Sequence, residues 1–428
     1  MGGHLVQHDR LSQSGGATRE WLSAGLRPGV VGPRACKPVA PAARLSHHVL
    51  SIKSIVSMSL PLPSTPRADG YAMPAEWARQ ARCWMMWPER GDTWRADAVP
   101  GQAAFARVAN AIAEFEPVIM GVSAAQMARA RRALGAAVEL HIIESNDAWM
   151  RDIGPSFVRN AAGEVRAVDW MFNAWGGLDG GLYQPWDADD AVAARVAALA
   201  CVERYRAPLV LEGGAIHVDG EGSCLTTEQC LLNRNRNPHL NRAQIEQHLR
   251  DYLGVESVLW LGQGVHGDET DGHVDNLCCF LRPGVVALSA CDDSADPQYA
   301  ISLDAVTRLS ALRDARGRAL EVIHLPQPRR MPHMNATEAA GLLPTPGSHP
   351  RLAGARLAAS YVNFLLVNGG LILPSFDDVH DDRAAAILAE QFPDRVIRQV
   401  PGREILLGGG CVHCITQQQP GAELNRDC

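Results

Sequence analysis

Residues 364–376 read FLLVNGGLILPSF: an apolar run, a Gly-Gly turn and a second apolar run. Two buried strands joined by a glycine turn explain this pattern most simply, because glycine reaches positive φ without steric cost. The pattern recurs in PSFVRNAAGEVRAVDW (155–170), LVLEGGAIHVDG (209–220), NLCCFLRPGVVALSA (276–290) and EILLGGGCVHCIT (404–416). Between these segments lie helical stretches such as DADDAVAARVAALAC, NRAQIEQHLRDYLG and DDRAAAILAEQF. Their spacing is irregular, which excludes a solenoid array. The reading is about five hairpin-plus-helix units set around a centre, with the turns converging on one pocket. A single mixed sheet with decorated hairpins is the alternative.

Upstream, QAAFARVANAIAEF (102–115) places apolar residues at helical spacing, and EPVIMGVS follows as a short buried strand. AAQMARARRALG is a second helix closed by Gly135, and AVELHIIE another strand. Alternation of this kind makes the chain α/β.

The 428 residues are 46% hydrophobic and 20% charged, enough chain for a large core. A net charge of -7 speaks against nucleic acid and suits a cationic substrate. No run approaches the ~18 apolar residues of a membrane span. Eleven cysteines, an odd number, form no disulfide-like framework, which points to the reducing cytosol. Residues 1–66 are rich in Ser, Ala, Pro and Arg and poor in acids. They read as a disordered extension, or as sequence upstream of a true start at Met58, with a basic targeting segment as the alternative. Residues 67–428 then form a single domain.

Chemistry-bearing residues cluster at the turns. NDAWMRDIGPSF holds Asp152, LEGGAIHVDG holds Glu212, and ETDGHVDN holds His273 and Asp275. Positions two apart share a face of a strand, so the imidazole and carboxylate of the last pair would enter one cavity. Each also has a purely structural reading: Asp152 pairing with Arg151, Glu212 solvating a turn, His273 a satisfied core histidine. In the last segment Cys411 and Cys414 stand three apart. A zinc site lacks a second C-x-x-C, and haem attachment wants the histidine after the second cysteine. A thioredoxin-like motif would open a helix, whereas CITQQQP reads as strand. A single nucleophilic thiolate remains, and on a regular strand the two thiols would face opposite sides. A bulge at the glycines would instead leave them within disulfide reach, with Cys411 able to resolve an oxidised Cys414.

From about Tyr71 to Pro420 the chain resembles the agmatine deiminases of the guanidino-group-modifying (pentein) superfamily. The stretches that carry the resemblance are MPAEW, CWMMWPERGDTWR, WMRDIGPSFV, DWMFNAWGGLDGGLY, LEGGAIHVDGEGSCLTTEQCLLNRNRNPHL, TDGHVDN, RLAASYVNFLLVNGG and REILLGGGCVHCITQQQP. The resemblance implies a five-bladed α/β propeller of pseudo-fivefold ββαβ units around a central site. It also implies Cys414 as nucleophile, His273 as general acid/base, and Asp152, Glu212 and Asp275 as carboxylates gripping a guanidinium. Trp87, Asp92 and Trp175 are the implied lining residues. The expected reaction converts agmatine to N-carbamoylputrescine and ammonia on the route to putrescine, with neither metal nor cofactor. An arginine or peptidylarginine deiminase with the same groups, and a non-catalytic binding propeller, are the alternatives. No nucleic-acid or membrane partner is expected, and a homo-oligomer is compatible with the sequence. The chain departs from the family pattern at Cys411-Val412, at ARQARCW after PAEW, in GVHGDETDGH and in PQPRRMPHMNATEAAG. Residues 1–66 have no counterpart.

Overall fold

The computed structural model describes residues 60–421. Five separate sheets carry its strands, and all five share one construction. An antiparallel pair is extended by a parallel strand that a helix delivers, since parallel neighbours cannot be joined by a tight turn. Ser156–Asn160 pairs antiparallel with Val165–Met171, which lies parallel to Arg204–Val210. His217–Val218 pairs with Ser223–Thr227, and Ser257–Leu261 adds parallel. Cys278–Arg282 and Val285–Ala290 are followed by Glu321–Pro326, and Leu365–Val367 and Gly370–Ser375 by Val396–Pro401. In the fifth sheet the C-terminal strand Thr416–Pro420 pairs antiparallel with the early strand Gln80–Met86. Val118–Val122 and Val138–Ile142 complete that sheet in parallel.

Three of the five glycine-turn segments are antiparallel hairpins, those at 155–170, 276–290 and 364–376. The other two are not. In 209–220, Val210 ends a strand of one sheet, Gly213–Ala215 forms a 3-10 turn, and His217 opens a strand of the next. In 404–416 the apolar run is the helical turn Arg403–Leu406, and strand begins only at Thr416. A short buried apolar run has the same composition in either conformation, and Ile405 and Leu406 are buried as a helical turn. Cys411 and Cys414 therefore do not face opposite sides of a regular strand, because neither lies in a strand.

The helices follow their sequence signals. Arg242–Leu253 starts at a capping box in which the Asn241 side chain accepts from the Gln244 amide, and it ends at Gly254 with φ 69. Ile245, Leu249 and Leu253 pack with Tyr71 and Tyr205 in one apolar cluster. Residues 1–59 of the expected extension lie outside the described residues. Leu62, near its end, donates its amide to Arg204 O at 2.8 Å and packs against the same cluster. No described helix is long and apolar enough to cross a membrane.

Candidate active site

Four turns deliver the chemical groups to one buried place. The helical turn Met150–Ile153 carries Asp152, and the Arg151 amide donates to Cys414 O at 3.1 Å, tying two of the turns together. The Arg151 side chain turns the other way, to Gln418 Oε1 at 2.8 Å and Glu76 Oε1 at 3.4 Å. Asp152 is thus not paired with its neighbour. Its Oδ1 accepts from the Gly214 amide at 2.9 Å and its Oδ2 from Trp175 Nε1 at 3.0 Å. His273 lies with Nδ1 3.9 Å from Asp152 Oδ2 and Nε2 3.6 Å from Glu212 Oε2. Cys414 Sγ is 3.6 Å from Asp275 Oδ2. Asp152, Trp175, His273 and Cys414 line one cavity, with Glu212 beside His273 and Asp275 beside Cys414.

Gly214 sits where these groups converge. A Cβ there would stand 2.6 Å from His273 Nδ1, 3.0 Å from Asp152 Oδ1 and 3.1 Å from Asp275 Oδ2. The LEGG turn must therefore carry glycine for reasons of space.

The structure does not bring Trp87 or Asp92 to the cavity wall. Trp87 is 2% exposed and packed in the apolar core. Asp92 is held by the Arg90 guanidinium at 2.8 Å and by the Ser348 hydroxyl. Thr93, next to Asp92, does line the cavity, as do Asp147, Trp149 and Tyr183, so the polar and aromatic walls come from other positions. Cys411 is completely buried, with its sulfur beside Gly402, and burial pushes its thiol up to about 12.

Several groups escaped the reading of the sequence. His413 is sandwiched between two acids, Nδ1 2.9 Å from Asp275 Oδ2 and Nε2 2.8 Å from Glu76 Oε1. Both ring nitrogens then donate, so the ring is an imidazolium, and its pKa is raised by Glu76 and Asp275 against burial and Arg151. Arg236, wholly buried, donates Nε to Glu212 Oε1 at 2.7 Å and Nη2 to Thr270 O at 2.9 Å. Its Nη1 reaches Trp175 O at 2.5 Å and Asp271 Oδ2 at 3.0 Å. Asn363 Nδ2 donates to Asn276 Oδ1 at 3.0 Å and to Cys414 Sγ at 3.1 Å. Glu76 stood in MPAEW among apolar residues, where a charge demands a buried partner, whereas Arg236 lay in the polar NRNRNP, which gives no such signal.

These neighbours set the charges. Burial opposes the Glu212 carboxylate, but Arg236 and His273 outweigh it and hold its pKa below the ordinary value. Burial likewise opposes Asp275, and His413 overrides it. Asp152 goes the other way, to about 6, through burial and the nearby charges of Asp275 and Glu212, although His273 opposes the rise. Burial disfavours the His273 imidazolium, yet Asp152, Cys230 and Glu212 raise its pKa well above the ordinary value. Burial and the charges of Asp275 and Asp152 push the Cys414 thiol well up. The site thus presents a protonated thiol facing an excess of negative charge. Two carboxylate oxygens in it, Asp275 Oδ1 and Glu212 Oε2, have no hydrogen-bond partner among the described residues. Such orphaned buried acceptors are costly unless a ligand supplies donors.

Residues 72–420 match the family model of Porphyromonas-type peptidyl-arginine deiminases. An agmatine deiminase of Ectopseudomonas mendocina is 56% identical over 364 residues, covering 85% of this chain and 99% of the relative. A solved agmatine deiminase of Enterococcus faecalis superposes with a TM-score of 0.83 at 46% identity, covering 85% of this chain and all of that one. A solved putative arginine deiminase of Porphyromonas gingivalis follows with a TM-score of 0.71 at 30% identity, covering 82% of this chain and 98% of its own. The chain belongs to the Porphyromonas-type peptidyl-arginine deiminase family, in company with the agmatine deiminases that it matches over almost their whole length.

Proposed function

We propose that the chain is an agmatine deiminase, hydrolysing agmatine to N-carbamoylputrescine and ammonia in the formation of putrescine. The observation that carries this reading is the pair of unpartnered, buried carboxylate oxygens, Asp275 Oδ1 and Glu212 Oε2, in the site that holds Cys414. A guanidinium is a planar cation whose paired N–H groups fit carboxylates, so it satisfies both acceptors and neutralises the excess charge. Its arrival also offsets the charges of Asp275 and Asp152, which add to burial in holding the thiol pKa up. A bound cation beside Cys414 favours the thiolate, so substrate and nucleophile activate each other.

The steps follow from the groups. Cys414 Sγ attacks the central guanidinium carbon while Asp152, Glu212 and Asp275 hold the plane. His273 gives a proton to one nitrogen, ammonia leaves, and an S-alkylthiouronium remains on Cys414. His273 then takes a proton from a water, which attacks the same carbon. The C–S bond breaks, releasing the ureido product and the thiolate. His413, fixed between Glu76 and Asp275, keeps Asp275 ionised throughout.

The cavity wall away from Cys414 favours an amine over an α-amino acid. Asp147, Trp149 and Tyr183 supply acidic and aromatic surface. Arg351 also lines the cavity, but its Nη2 is committed to Glu269 Oε2 at 2.5 Å and Gly408 O at 2.7 Å. Glu269 therefore already balances its charge, although the Arg351 Nε has no hydrogen-bond partner among the described residues. The five like-built sheets support the reading of a five-bladed α/β propeller whose turns meet at the site. The nine described cysteines are all free, which suits a reducing cytosol. The test compares ammonia release from agmatine, free arginine and an arginine peptide. Agmatine should give the highest kcat/KM, and a higher value for arginine would reassign the substrate.

A further inference from the structure

Cys230 takes no part in the reaction outlined above, yet it is held against the imidazole that does. It lies on the helical turn Glu228–Leu231, where its amide donates to Thr227 Oγ1 at 3.2 Å. The thiol is fully buried, as are Glu212 and His273. One ligand atom from each of Glu212, Cys230 and His273 lies within 4.8 Å of the other two. Glu212 Oε2 and His273 Nε2 are 3.6 Å apart, and neither has a hydrogen-bond partner among the described residues.

A thiol, an imidazole nitrogen and a carboxylate oxygen within 4.8 Å of one another form the donor set of a borderline-soft divalent cation. Bonds of about 2.0–2.3 Å in tetrahedral geometry put ligand atoms roughly 3.3–3.8 Å apart. The Glu212–His273 separation already falls in that range. Arg236 takes Glu212 Oε1 and leaves Oε2 open, and the Asp271 carboxylate 3.0 Å away compensates its charge. We propose that Glu212, Cys230 and His273 form a site for a thiophilic divalent cation such as zinc, and that its occupancy shuts the enzyme off. On binding, the Cys230 thiol and the His273 imidazolium each give one proton to solvent as the sulfur–metal and nitrogen–metal bonds form, with no change of oxidation state. The metal takes Glu212 Oε2 from the guanidinium and His273 Nε2 from proton transfer, so substrate and metal compete. The binding rests on ligand geometry alone, and the shut-off rests on the roles given above to Glu212 and His273.

The test uses cadmium, whose thiolate charge-transfer absorption reports the ligand directly. In a background with Cys36, Cys201, Cys291 and Cys428 changed to serine, every remaining cysteine is buried. Cadmium should there give one saturable band that survives Cys414→Ser. Cys230→Ser should abolish the band or weaken the affinity at least about tenfold, as loss of a ligand must exceed loss of its outer support. If that variant fails to fold, His273→Asn should weaken the same band. Agmatine added to the inert Cys414→Ser protein should raise the apparent cadmium Kd, and chelation should restore the activity of cadmium-inhibited enzyme. A band lost in Cys414→Ser and kept in Cys230→Ser would put the metal on the nucleophile and overturn the proposal. So would the absence of any saturable band. A Cys230-dependent band in a protein that does not turn over agmatine would keep the site and refute the proposed reaction instead.

Discussion

Gly214 leaves no room for a methyl group, and the atoms in the way belong to His273, Asp152 and Asp275. Gly214→Ala should therefore lower kcat/KM for agmatine at least about a hundredfold, the scale of a misplaced catalytic group, with little change in melting temperature. Thermal unfolding and steady-state kinetics on one preparation check both halves, and near-normal turnover would show that the groups do not converge there. Asp152 makes a second prediction. Its carboxyl titrates at about 6 because it is buried among other acids, so below that pH it turns neutral and loses its hold on a cation. The kcat/KM profile, which reports the free enzyme, should fall on the acid side with an inflection near that value. Trp175→Phe removes the N–H that stabilises the anion at 3.0 Å and should move the inflection upward. An inflection at the usual carboxylate value, unmoved in the variant, would contradict the assignment. At this scale the sequence was informative wherever a polar residue stood at a glycine turn: Asp152, Glu212, His273, Asp275 and Cys414. It was silent on Glu76, Arg236 and Asn363, whose partners lie far away along the chain.

The helix Arg242–Leu253 shows how much a single element owes to its ends. Asn241→Ala removes the side-chain acceptor of the capping box and should cost about 1 kcal/mol, with unchanged kcat. Gly254→Ala should cost more. The residue has φ 69, and a Cβ would stand 2.7 Å from Ala72 Cβ and 2.8 Å from Tyr71 O, so left-handed strain adds to a backbone clash. Denaturant unfolding of both variants ranks the two effects, and the reverse order would contradict this account. The helix was legible in NRAQIEQHLRDYLG because its apolar period, its cap and its closing glycine agree. The segments 209–220 and 404–416 were not, because an apolar run next to glycines does not reveal whether the following strand returns to the same sheet. In both cases the chain leaves for another sheet, and the turn so formed carries a site residue, Glu212 or Cys414.

For the whole molecule, the N-terminal boundary is the first testable matter. We propose that residues 67–428 are one catalytic domain, and that a chain starting at Met58 folds and keeps its activity. Starting instead at Arg67 removes the Leu62–Arg204 hydrogen bond and the packing of Leu62, and should lower stability without changing KM. Melting curves and kinetics of the two truncations test this, and loss of activity in the longer one would give residues 1–57 a role. By itself the sequence determined the α/β class, the recurring unit, the family resemblance and the polar residues at the turns that meet in the site. These are local properties: period, turn glycines and the residue types beside them. Only the tertiary structure decided that Trp87 belongs to the core, that Asp92 answers to Arg90, and that His413 bridges Glu76 and Asp275. The same holds for the two carboxylate oxygens left unpartnered in the site. The reason is physical: whether a buried charge is satisfied or held open for a ligand depends on partners as many as 337 residues away. No local pattern encodes such a pairing, and it exists only once the separate sheets have packed.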